Sequence, residues 1–146
     1  MPTPIRFGTE FLVKTSTAGA QFMPVATALA DGRFVISWTD ERGDGSAEGV
    51  KAQIFNADGS KDGTEFLVNT TTAKEQDTSA ITALTNGGFV ISWTDSSETG
   101  GEYYGSSVRA QVFNPDGSKS GAELIVNAGP ALSHRDTAIT ALAGGG

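Results

Sequence analysis

The chain has 146 residues, 19 of them glycine, with 18% charged residues, no cysteine and a formal net charge of -7. That length suffices for one domain with a real core, while the acidic balance excludes a basic surface for nucleic acid or an anionic membrane. The missing cysteines exclude disulfides, thiolate zinc sites and cysteine nucleophiles.

The opening Met1-Pro2-Thr3-Pro4-Ile5-Arg6 lacks the apolar run of a secretory signal, and no window of about 18 apolar residues exists to span a membrane. A soluble chain is expected, exported by a route that reads no N-terminal signal, or else a fragment whose signal lies elsewhere. No stretch sustains a 3.6-residue apolar period over three turns, so helix is at most a minor component.

The first strand expected is Thr9-Glu10-Phe11-Leu12-Val13 after Gly8. It recurs as Thr64-Glu65-Phe66-Leu67-Val68 after Gly63 and as Ala122-Glu123-Leu124-Ile125-Val126 after Gly121. A polar connection follows each copy and leads to a second strand, residues 24–29, 79–84 and 137–142. Asp31-Gly32 and Asn86-Gly87 then signal tight hairpins, for which a type I′ turn with two positive φ angles is expected.

The third strand, Phe34-Val35-Ile36-Ser37-Trp38-Thr39-Asp40, returns 55 positions later as Phe89-Val90-Ile91-Ser92-Trp93-Thr94-Asp95. Its period-two alternation is that of an interior strand. A Gly-rich acidic loop leads to a fourth strand, residues 50–56 or 108–114, which closes on the turn signals Asn56-Ala57-Asp58-Gly59 and Asn114-Pro115-Asp116-Gly117.

The chain thus reads as one repeat array, with repeat 1 over 8–62, repeat 2 over 63–120 and a partial repeat 3 over 121–146. The expected class is all-β: antiparallel four-stranded repeats resembling β-propeller blades, about two and a half of them, because strand types recurring in fixed order suit a radial array. A β-sandwich is the alternative. Two and a half blades close no ring alone, so either further repeats of a longer chain or identical chains, a homo-oligomer in ring or filament, are expected to complete the array.

The strings Gly63 to Thr72, Thr82 to Trp93 and Ala110 to Gly117 resemble tandem repeats of very large secreted bacterial proteins that often also carry repeats-in-toxin calcium-binding repeats. The resemblance covers nearly the whole chain. It implies a modular, non-catalytic block at an extracellular or cell-surface location, secreted without an N-terminal signal. The Gly-Gly-x-Gly-x-Asp calcium motif of those proteins is absent, so their calcium sites do not carry over.

Candidate chemistry is sparse. Calcium is the one cofactor the carboxylates bring to mind: Asp58 and Asp62 lie in an alternating oxygen-rich turn, and Asp40, Asp44 and Glu48, with Asp95, Glu98 and Glu102, lie in the acidic loops. Turn chemistry and solvation account for the same residues. Trp38 and Trp93 can stack a glycan, as in a lectin-like module, but their strand positions fit core packing. Tyr103 and Tyr104, adjacent in the longer loop, resemble an adaptable contact surface for glycan or protein. His134 near Ser133 and Asp136 lacks the oriented partners of a nucleophilic set, so no catalytic role is expected.

Overall fold

The computed structural model describes residues 8–16, 18–99, 105–127 and 134–142. Among them there is no helix. Strands β1 (Gln21–Ala28), β2 (Phe34–Asp40), β3 (Gly49–Phe55) and β4 (Lys61–Leu67) form one antiparallel sheet in that order. Strands β5 (Gln76–Ala83), β6 (Phe89–Asp95), β7 (Ser107–Phe113) and β8 (Lys119–Ile125) form a second with the same order. The fold is all-β and sandwich-like: two four-stranded sheets face to face, not closed into a barrel.

All four hairpins at the β1–β2, β3–β4, β5–β6 and β7–β8 junctions are built alike, and none is the expected type I′ turn. In each, the residue before the loop donates its N–H to the carbonyl four residues on, and the loop glycine N–H returns to the first carbonyl, as in Leu29 N to Arg33 O at 2.8 Å and Gly32 N to Leu29 O at 3.1 Å. Only the glycine has positive φ (Gly32, Gly59, Gly87 and Gly117, 84–89°). This is the three-residue loop in which a type I turn precedes a left-handed residue. The preceding Asp31, Asp58, Asn86 or Asp116 accepts the N–H two residues on, at 2.9–3.1 Å. The Asp-Gly and Asn-Gly pairs therefore divide the work, the side chain fixing the turn and the glycine taking the strained φ.

The sheets are out of phase with the sequence repeat by one strand. β4 (Lys61–Leu67) begins repeat 2 in sequence yet completes the first sheet. Residues 68–75 then cross over, and β5 opens the second sheet, lying across β1, β2 and β3.

Unlike faces meet at the contact. Val35, Val50, Ala52 and Ile54 of the first sheet pack against Phe89, Ile91, Trp93 and Phe113 of the second. In the register of β2 with β3, Val35 and Ile54 share a face, and Phe34, Trp38 and Phe55 lie on the opposite one. The two tryptophans consequently point the same way. Trp93 is in the inter-sheet core, whereas Trp38 is on the outward face of the first sheet.

Ten strands were expected and eight form among the described residues. The segments 9–13 and 137–142 lack strand structure. β1 and β5 also begin earlier than expected, at Gln21 and Gln76, because a bulge with Met23 and Thr78 at φ 53° and 52° lets the chain continue pairing beyond the irregularity.

Candidate functional site

The inter-sheet contact is the most elaborated feature of the molecule. On β2 the Ser37 hydroxyl shares a hydrogen bond with that of Ser79 on β5, 2.9 Å apart and buried. Beyond β4, Val68 is fully buried, and Asn69 accepts the Val50 N–H at 2.9 Å while donating to Gln76 Oε1 at 3.1 Å. Arg33 in the β1–β2 turn pairs with Asp62 at 2.7 Å and donates to the Pro115 carbonyl of the second sheet at 2.9 Å. Apolar burial supplies the attraction, and these polar ties fix how the sheets lie.

Parts of the same contact recur on both outward faces. On the far face of the second sheet the Ser92 hydroxyl meets Thr137 Oγ1 at 2.9 Å, as Ser37 meets Ser79, and His134 N–H reaches the Ser106 carbonyl as Gln76 N–H reaches that of Glu48, each at 2.9 Å. Asp136 has φ 59°, matching Met23 and Thr78. Residues 134–142 thus follow the path of β5. On the outward face of the first sheet, Gly8 has φ 82°, like Gly63 (73°) and Gly121 (76°). Phe11 sits on Phe55 with centroids 5.4 Å apart at 49°, as Phe66 sits on Phe113 at 5.4 Å and 48°. Residues 8–13 thus occupy the seat that β4 holds on the second sheet.

At one end of each sheet lies a charged cluster. Arg109 donates to Asp95 at 2.6 Å, Glu123 at 2.8 Å and Thr99 at 2.7 Å, and all three ionic side chains are buried. In the first sheet Lys51 approaches Glu65 at 3.1 Å and Asp40 at 3.7 Å. Glu65 and Glu123 each also accept a backbone N–H from the incoming connection, Thr15 at 2.7 Å and Thr70 at 2.6 Å. Burial pushes the Glu65 carboxyl up, but the Thr15 N–H and Lys51 outweigh it and hold it below the ordinary range.

Among the described residues, the carboxylates singled out as cation ligands do not converge. Asp44 accepts from Ser46 N, Ala47 N and Asn69, and Asp40 accepts from Arg42 N. Asp95 is held by Arg109, Gln76 and Ser97. Glu98 pairs with Lys74 and Asp62 with Arg33, while Asp58 takes the Ser60 N–H and hydroxyl, which lower its pKa. Glu48 faces Asp77, Glu75 and Glu41, and burial followed by those charges raises its pKa. No group of three or more His, Cys, Asp or Glu able to hold a metal occurs among the described residues.

Trp38 and Trp93 are 3% and 0% exposed, so neither presents a stacking face. Tyr103, Tyr104 and Glu102 lie outside the described residues. His134 Nδ1 meets Asn127 Nδ2 at 3.0 Å, the counterpart of the Asn69–Gln76 pair. Sequence reasoning passed over Asn69, Arg33, Arg109 and the pair Gln53 and Gln111, whose amides reach carbonyls beside the β3–β4 and β7–β8 bulges. For the glutamines a signal was present: an Ala-Gln-x-Phe-Asn string at matching places in both repeats. Compared with protein families, curated proteins and solved structures, the chain finds no match. No helix among the described residues is long and apolar enough to cross a membrane.

Proposed function

We propose that the chain is a non-catalytic structural and adhesive module of β-propeller type, whose sheets are made to continue front to back, by identical chains or by further repeats. One observation carries this reading: the contact between the two sheets reappears, in part, on both outward faces, with the serine pair, the phenylalanine seat and the positive-φ residue in equivalent places. A face that meets its own opposite is heterologous, and such contacts build rings when the rotation closes and filaments when it does not. The resemblance to repeats of large secreted bacterial proteins supports an extracellular or cell-surface setting.

The carboxylates of the clusters are tied to arginine, lysine and backbone N–H groups, which suits a scaffold better than proton transfer. Native mass spectrometry over a concentration series tests the reading. Oligomers at multiples of 15.0 kDa are expected, and a chain that stays monomeric at every concentration would overturn completion by identical chains.

A further inference from the structure

We propose that Leu124 and Val126, which share the outward face of β8, seat in one copy of this chain against Trp38 of a second copy, displacing residues 11–13 from that place and residues 134–142 from the far face of the first copy. The inference rests on the self-associating reading above and names the surfaces that carry it.

Within the chain, Val68 at the end of β4 is 0% exposed in the core that holds Trp93. Its counterpart at the end of β8, Val126, is 61% exposed, with Leu124 and Ile125 also exposed. Trp93's counterpart, Trp38, lines an open cleft of about 330 Å³ with Phe11, Leu12, Val13 and Pro24. Knob and socket are therefore both present, but on opposite faces of the molecule. The surrounding faces agree: Phe34, Ile36 and Val90 are half-buried, whereas their counterparts Phe89, Ile91 and Val35 are fully buried between the sheets. Those outward faces are the two halves of a contact the chain already makes once.

Residues 8–13 fill the seat imperfectly. They form no strand, and Phe11 and Leu12 remain exposed. The residue that follows is also wrong for an outer strand: where Asn69 and Asn127 accept the Val50 and Val108 N–H groups, this segment carries Lys14, whose ammonium bonds Gln21 Oε1 instead. A lysine has no acceptor for a strand N–H. An incoming β8 brings Asn127 already bonded to Val108, and Gln21 of the second copy takes the place beside it that His134 now holds, as Gln76 does beside Asn69. Local contacts of residues 11–13 and 134–142 are exchanged for similar ones, so the net driving force is burial of the remaining apolar faces.

Two single substitutions at exposed positions test this by sedimentation velocity, with thermal melts to confirm that each variant stays folded. Val126→Asp puts a carboxylate into the proposed buried contact and should abolish association of otherwise intact chains. Leu12→Asp weakens the segment to be displaced and should strengthen association. If wild type associates but Val126→Asp associates equally well, or Leu12→Asp abolishes association, the seat is wrong while the self-associating reading survives. A wild type that never associates overturns both the seat and completion by identical chains.

Discussion

Gly88 stands where its neighbours leave no room for a Cβ, which would collide with the Phe113 carbonyl oxygen. The equivalent position in the first repeat carries Arg33, so the crowding belongs to this copy of the turn and not to the repeat as such. Gly88→Ala should destabilise the fold by about 2 kcal/mol through forced backbone movement, read as a lower urea midpoint with an unchanged slope. Arg33 shows the converse, a side chain without a counterpart that ties the two sheets through Pro115. At this scale the sequence was legible where an identity recurs, as with Gly32 and Gly87. It was opaque where a residue acts through a partner far along the chain, as Arg33 does across 82 positions.

Among the elements, β6, β7 and β8 depend on a charge buried between them. Arg109 is the partner that compensates Asp95, which has no exposure, and it reaches Glu123 on the adjoining strand. Arg109→Met removes one side of a buried ion pair and should cost about 3 kcal/mol. In chemical denaturation, the double variant with Asp95→Asn should recover part of that loss. Strand β2 and strand β6 were readable to the residue, because Phe34 to Asp40 and Phe89 to Asp95 alternate without interruption. The early starts of β1 and β5 were not, since nothing in a methionine or a threonine announces positive φ at Met23 or Thr78. Residues 9–13 and 137–142 carry strand-like sequences yet lie in none of the ladders of the two described sheets, and a strand is defined by its neighbours as much as by its own pattern.

Across the whole molecule, the contact between sheets carries an electrostatic liability at one end. Glu48 of the β2–β3 loop faces Asp77 and Glu75 of the second sheet's leading segment, and burial and those charges raise its pKa. A carboxyl raised on folding contributes stability that is present below its ordinary value of about 4.5 and lost as pH rises through the shifted one. Charged Glu48 therefore opposes sheet packing at neutral pH. Glu48→Gln should raise the melting temperature at pH 7, with the difference vanishing below pH about 4 in paired melts. The all-β class, the antiparallel hairpins and the order of strands could be read from 55-residue recurrence. The phase of sheet against repeat could not, because identical strings are consistent with any cut point, and only the pairing of β3 with β4 selects one.

That division shapes how the chain would bear tension. Residues 21–67 and 76–125 are each a consecutive run that pairs within its own sheet, and among the described residues no ladder joins the two. A pull would therefore part them as two intact parcels, across side-chain packing and isolated hydrogen bonds, before either unravels.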